Sequence, residues 1–232
     1  MPVRVLVLYY SYSNQTRRVA ETMGEVLRER GTEVQFGEIQ FRDERYDFNF
    51  PLKPFWRKML KILVPQLLGR TGEIRIDPSI LEQKYDLICI GSPTWLLYPA
   101  MPVVSFLKSD SAGKLLAGRL FAVFTVCRAL WRLNLRRVKR LATSAGGEFV
   151  DSAKFRFRGS QVRSMLSFIN YLQNGEDRQR FLGLNIYPFG VTDDGLEHAK
   201  AFGDSLLDRI ETATGFSPDR VHDYTSNRAG GL

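Results

Sequence analysis

The sequence predicts an α/β chain, a doubly wound three-layer sandwich around a five-stranded parallel sheet in the order 2-1-3-4-5. Three observations predict it. Val3 to Tyr9 (VRVLVLY) is a nearly continuous apolar run rich in β-branched residues, which suits a central parallel strand buried on both faces. Directly after a short polar loop the period changes: Val19, Met23, Val26 and Leu27 recur at helical spacing. The same alternation of apolar run and helical stripe then repeats along the chain, which calls for a parallel sheet with helices on both faces.

Gly31 stops the first helix. Val34 to Ile39 is a second short strand, and Asp86 to Gly91 (DLICIG) a third. A helix from about Ala100 to Leu107 leads to a fourth strand, Leu120 to Val126. The next helix, about Leu130 to Ser144, is closed by Gly146-Gly147, and Phe149 to Phe157 alternates as a fifth strand. Leu196, Ala199, Phe202, Leu206 and Ile210 form the stripe of a last helix. In such a sheet the ligand lies at the carboxyl ends of strands 1 and 3, where the winding reverses. The loops after Tyr9, Gly91 and Val126 are therefore expected to converge.

The 232 residues read as one domain, 1–216, with two insertions at about 41–72 and 158–187. Both are too long for ordinary connections between helix and strand, so they are expected to carry function or cover the site. Residues 217–232 have turn-forming composition and read as a frayed tail.

The apolar run at the start, Met1 to Tyr10, spans about half a membrane and alternates like a strand, so it is read as neither signal peptide nor anchor. Cys89 and Cys127 fall in or at the end of buried strands, which points to a reduced, cytoplasmic protein. The net charge of +8 raises the local concentration of anions of any kind. The densest basic cluster, Arg132, Arg136, Arg137, Lys139 and Arg140, lies on one helix and reads as its solvated face, so nucleic acid is not expected as a partner.

Ser11, Tyr12, Ser13, Asn14, Gln15 and Thr16 join the first strand to the first helix. Hydroxyls and successive N–H groups there can surround a phosphate at the positive end of a helix, although a Ser/Thr-rich turn can also be a simple cap. Asn14 stands where a tight turn calls for positive φ. There is no GxGxxG and no G-x(4)-G-K-[ST]. The stretch Tyr9 to Ala20 resembles the phosphate loop of flavodoxins and flavodoxin-like quinone reductases, S/T-x-T/S-G-x-T followed by a helix, with Asn14 in the glycine position.

Two later loops extend the resemblance. Gly91-Ser92-Pro93-Thr94-Trp95 with Leu96, Leu97 and Tyr98 is similar to the family segment that packs beside the isoalloxazine ring. Pro93 stiffens it, and Trp95 and Tyr98 offer flat surfaces. Cys127-Arg128 stand in the third loop, which in the family lies along the other side of the ring. A cation there would favour a reduced, anionic flavin. The resemblance thus implies FMN as cofactor, held by Ser11 to Thr16, Pro93 to Leu97, Cys127 and Arg128, with Arg128 and Tyr98 as candidate catalytic residues. Cys127 itself reads as a packing residue rather than a nucleophile.

Over most of its length the chain resembles the flavodoxin-like branch labelled as related to dialkylresorcinol-condensing enzymes. Phe50-Pro51, Phe55-Trp56, Pro99 and Pro102, Trp131, and Tyr187 to Val191 leading into Glu197 to Lys200 carry that likeness. No ketosynthase set is present, since the only histidines are His198 and His222. The expected function is NAD(P)H-dependent reduction of a quinone-like or aromatic acceptor. An electron-carrying flavodoxin and a scaffold that has lost its flavin remain the alternatives. Residues 48–68 mix aromatics, aliphatics and Lys/Arg. Trp56, Met59, Leu60, Leu63 and Leu67 are expected on one helical face, which would pack on the core, cover a lipophilic acceptor site or touch a membrane surface. A homo-oligomer is a further expectation, by analogy with the family. No metal site is expected.

Overall fold

Alternation along the first strand sorts the core into two halves. In β1 (Arg4–Tyr9), Val5, Val7 and Tyr9 enter one core cluster and Leu6 and Leu8 the other. A computed structural model of the chain describes residues 2–46, 49–157 and 161–214; the expected tail at 217–232 lies outside them. β1 is flanked by β2 (Glu33–Glu38) and β5 (Leu87–Trp95), and β5 leads on to β7 (Leu120–Cys127) and β8 (Glu148–Arg156). Every pair along this path is parallel, so the five main strands run in the expected order 2-1-3-4-5.

Helix α1 (Gln15–Glu29) and the last helix, α8 (Asp193–Thr214), cover the face that carries Val5 and Val7. The opposite face is covered by α3 (Pro78–Glu82), α4 (Met101–Leu107), α5 (Asp110–Leu116) and α6 (Trp131–Ser144). α3 and α5 are short turns of helix that sequence periodicity does not reveal, since a five- or seven-residue helix shows at most two turns of stripe. Each fully buried side chain of this core contributes roughly 1.5–3 kcal/mol of transfer free energy. No helix among the described residues is long and apolar enough to cross a membrane.

Two excursions leave this body. The first departs and returns through an antiparallel pair, β3 (Gln40–Phe41) with β4 (Ile74–Arg75), and carries α2 (Phe55–Leu67). Asp43 fastens its neck. The buried carboxylate accepts hydrogen bonds from Arg45 Nε at 2.8 Å and from the backbone N–H of Glu73 at 3.0 Å. The Arg45 guanidinium beside it and these backbone donors hold the Asp43 carboxyl at about 2, below an ordinary 3.8. A depressed carboxyl contributes stability that is present above its unfolded value and lost as pH falls. Acid titration followed by circular dichroism is therefore expected to show loss of stability between 3.8 and about 2, and Asp43→Asn to flatten that interval.

The second excursion carries α7 (Gln161–Asn174) and a small hairpin, β9 (Arg180–Phe181) with β10 (Leu184–Asn185). It returns to the sheet where Val191 bridges Phe157. Both excursions end above the carboxyl edge of the sheet. There Leu52, Phe55 and Ile62 of the first pack with Leu172 of the second as a third, separate apolar cluster.

The face of α2 differs from expectation. Phe55, Ile62 and Gln66 are buried and Met59 and Leu63 half-buried, whereas Trp56, Leu60, Val64 and Leu67 are exposed. The helix is apolar over more than half its circumference, and only the stripe centred on Phe55, Ile62 and Gln66 meets the body.

Candidate functional site

The three loops predicted to converge do so, around a cavity of about 170 Å³ at the carboxyl ends of β1, β5 and β7. Each loop turns on a non-glycine residue at positive φ: Asn14 at 58°, Leu96 at 59° and Leu130 at 58°. Such conformations persist where the surroundings over-determine them, and they cluster at ligand sites.

Tyr12, Ser13, Gln15 and Thr16 of the first loop line the cavity. Asn14 is the N-cap of α1, yet its side chain makes no capping hydrogen bond. Of the N–H groups in the first turn, that of Arg17 donates to Ser11 Oγ at 3.2 Å. The α1 N-terminus thus lies at the cavity with Ser13 and Thr16 beside it, and Ser11 rather than Asn14 meets one of its first-turn N–H groups. Ser11 and Asn14 shape the turn without lining the cavity. Arg17 is drawn off to Glu38 at the end of β2, which raises its pKa through that hydrogen bond.

Pro93, Thr94, Trp95 and Leu96 supply the wall from the second loop. β5 does not end at Gly91, as the glycine and proline had suggested. It runs on to Trp95 and folds back on β6 (Tyr98–Pro99) as a tight antiparallel pair. Trp95 meets Tyr10 and Tyr12 edge-on, with ring centres 5.8 and 5.7 Å away. Tyr98 and Leu97 do not line the cavity. The Tyr98 ring lies 5.4 Å from the Arg137 guanidinium instead.

Cys127, Arg128, Ala129 and Leu130 close the third side. Burial pushes the Cys127 thiol up to about 11, so it is a neutral wall atom at pH 7. Burial lowers the Arg128 pKa from its ordinary value, and the guanidinium still keeps its charge. Among the described residues, Arg128 is the only charged side chain lining the cavity.

Several parts of the site were not foreseen. Asn134, fully buried on α6, locks the second loop: its Nδ2 donates to Thr94 Oγ1 at 2.8 Å and its Oδ1 accepts from Ser92 Oγ at 2.9 Å. A polar residue in line with Val138 and Ala142 on a buried stripe is the signal that would have found it. Gln66 of α2 donates to the Trp95 carbonyl at 2.7 Å and ties the first excursion to the same loop. The far wall comes from Phe157, Phe168 and Phe189. Phe189 stacks on Tyr171 at 4.3 Å, and its N–H donates to Asp177 at 3.0 Å.

Gln15 holds this far wall to the first loop. Its Oε1 accepts from Val191 N–H at 3.0 Å. Gly190 has φ +118°, and a Cβ there would stand 2.2 Å from Gln15 Oε1. Gly190→Ala is therefore expected to break the Gln15–Val191 bond and cost about 1–3 kcal/mol, a melting temperature lower by several degrees in calorimetry.

A hydroxyl-bearing helix N-terminus, one half-buried guanidinium, and walls of aromatic and aliphatic side chains together suit a flat, largely apolar ligand that ends in an anion. Among the described residues no three His, Cys, Asp or Glu side chains gather as a metal site.

Sheet order, layers and site position define a flavodoxin-like fold. Among solved structures, the chain is similar to a flavoprotein from Lactobacillus acidophilus NCFM in complex with FMN. They share 24% identity at a TM-score of 0.52, over 66% of this chain and 93% of that one. It is similar to a flavodoxin from the domain Archaea, at 14% identity and a TM-score of 0.50 over 90% and 99% of the two chains. Flavodoxin 2 from Bacillus cereus gives 17% identity and a TM-score of 0.50 over 89% and 99%. No protein-family model matches the chain, and no curated protein matches it.

Proposed function

We propose that this chain binds FMN at the carboxyl edge of its sheet and uses it to pass electrons from NAD(P)H to a lipophilic, quinone-like or aromatic acceptor. The observation that carries the reading is the α1 N-terminus, which has no cap from Asn14 and meets an aromatic-walled cavity that Ser13 and Thr16 line. These groups fit a phosphate, and Trp95, Pro93 and Leu96 fit the edge of a planar ring system. The FMN bound by the similar Lactobacillus acidophilus protein supports the same choice of ligand.

When bound, FMN supplies two-electron redox chemistry. The chain's own residues do the rest. Ser13, Thr16 and the first-turn N–H groups fix the phosphate. Asn134 and Gln66 hold the Pro93–Trp95 wall in place. Arg128 stabilises negative charge added to the cavity during reduction. α2 and α7 exclude water and leave an apolar surface for the acceptor. Among the described residues, a lining with one cation and no carboxylate favours this enzyme over a one-electron carrier.

Anaerobic addition of NADH or NADPH to the FMN-loaded protein tests the reading. Bleaching of the flavin absorption, restored by a quinone such as menadione, is the expected result. A loaded protein that neither nicotinamide reduces would overturn the reductase assignment.

A further inference from the structure

Charge and exposed apolar surface coincide on one side of this molecule. The outer stripe of α2 leaves Trp56 69% exposed, Leu60 60% and Leu68 66%. At the cavity mouth, Leu96 and Leu130 both line the interior and stand more than half exposed to solvent. These pieces adjoin one another. Gln66 ties α2 to the Trp95 carbonyl, and a methyl added to Gly69, just past α2, would lie 3.5 Å from the Arg137 guanidinium of α6. Exposed large apolar side chains gathered on neighbouring elements in this way mark a surface that meets a partner.

The charges around it are of one sign. α2 contributes Arg57, Lys58 and Lys61, and α6 contributes Arg132, Arg136, Arg137, Lys139 and Arg140. Neither helix has an Asp or Glu. On the opposite face of the sheet, α8 is acidic: Asp193, Asp194, Glu197, Asp204 and Asp208 stand against Lys200 and Arg209. The two basic helices are thus the ones beside the exposed apolar side chains, and the acidic helix lies across the sheet from α6.

We propose that this surface, the outer stripe of α2 with the rim formed by Leu96 and Leu130, seats on an anionic lipid bilayer. Apolar side chains enter the acyl boundary while lysines and arginines meet headgroup phosphates, the arrangement of an interfacial amphipathic helix. A second copy of the chain is disfavoured as the occupant, because two such faces would bring like charges together. Nucleic acid is disfavoured because phosphates offer nothing to Trp56, Leu60 and Leu68. Seated this way, the cavity mouth faces the hydrocarbon, and an acceptor dissolved in the membrane reaches the site without crossing water.

The test is sedimentation of the purified chain with vesicles of phosphatidylcholine alone or mixed with phosphatidylglycerol. Binding is expected only to the mixed vesicles, with a partition coefficient at least about tenfold higher, and is expected to weaken as salt is raised. Trp56→Ser with Leu60→Ser, and separately Arg57→Glu with Lys61→Glu, should each reduce it by about tenfold or more. All four positions lie outside the cavity, and Arg209→Glu on the acidic face should change nothing. Equal binding to both vesicle types, none to either, or variants that sediment like the parent would overturn the proposal. So would light scattering that finds a dimer which the same substitutions dissociate. The readout needs neither flavin nor turnover, so it stands or falls separately from the reductase reading.

Discussion

Ser13→Glu is expected to abolish FMN binding while leaving the fold intact. Ser13 lines the cavity from the first loop and is only half-buried, so a longer side chain meets solvent rather than core. A carboxylate at this point would face the phosphate that the loop is proposed to hold. At roughly 5 Å and an effective dielectric of about 20, each pair of like charges costs about 3 kcal/mol. With a phosphate near −2 the loss in affinity exceeds about a thousandfold. Ser13→Ala removes one donor and no more, and is expected to weaken binding by roughly tenfold to a hundredfold. Quenching of flavin fluorescence on titration separates the two variants. A thermal melt close to the parent's shows that the glutamate acts on the ligand and not on the fold.

Asn134→Ala is the substitution expected to cost the most stability for its size. The parent amide is fully buried and bonds Thr94 Oγ1, Ser92 Oγ and, at 3.3 Å, the Ser92 carbonyl. Alanine leaves these groups without their partner in the interior, where each unmet group costs about 1–3 kcal/mol. Partial rearrangement of the Ser92 and Thr94 hydroxyls limits the total to about 2–4 kcal/mol. For a chain of this size that lowers the melting temperature by roughly 5–15 °C. The same change loosens the Pro93–Trp95 wall, so FMN affinity should fall together with stability. Asn134→Asp buries a carboxyl oxygen against the Ser92 carbonyl and loses the donor to Thr94, and is expected to be no less destabilising than alanine.

The layered body was legible because its signals are local. Val3 to Tyr9 needs no partner to read as a buried strand, and Asn14 marks a left-handed turn by residue type alone. The loops could be placed together because a doubly wound sheet brings the ends of adjacent strands to one edge. The continuation of β5 through Pro93 to Trp95 was hidden, since Gly91-Ser92-Pro93 reads as punctuation. Pro93 is tolerated there because it sits opposite Val126, and its carbonyl accepts from Ala100 N–H at 3.1 Å as the chain folds back. Tyr98 looked like part of the ring wall by proximity to Trp95, but in a two-residue return strand it faces Arg137 instead.

The insertions were expected over the site, but which of their residues form its far side was not legible. Val191 bonds the first loop through Gln15, across 176 positions of sequence. No periodicity reports such a contact. The orientation of α2 was hidden for a different reason. Its apolar arc is wider than one packing face, so composition could not say which stripe meets the body and which meets solvent.

The α1 N-terminus, Ser13 and Thr16 are proposed to hold the phosphate of FMN in this cavity. The most direct measurement is a titration of FMN with the purified chain, followed by the visible absorption spectrum and by flavin fluorescence. Saturation at one flavin per chain with a dissociation constant of about micromolar or tighter, a structured and shifted absorption band, and loss of all three changes in Ser13→Glu are expected. A flavin spectrum that stays that of the free molecule at saturating protein would contradict that proposal.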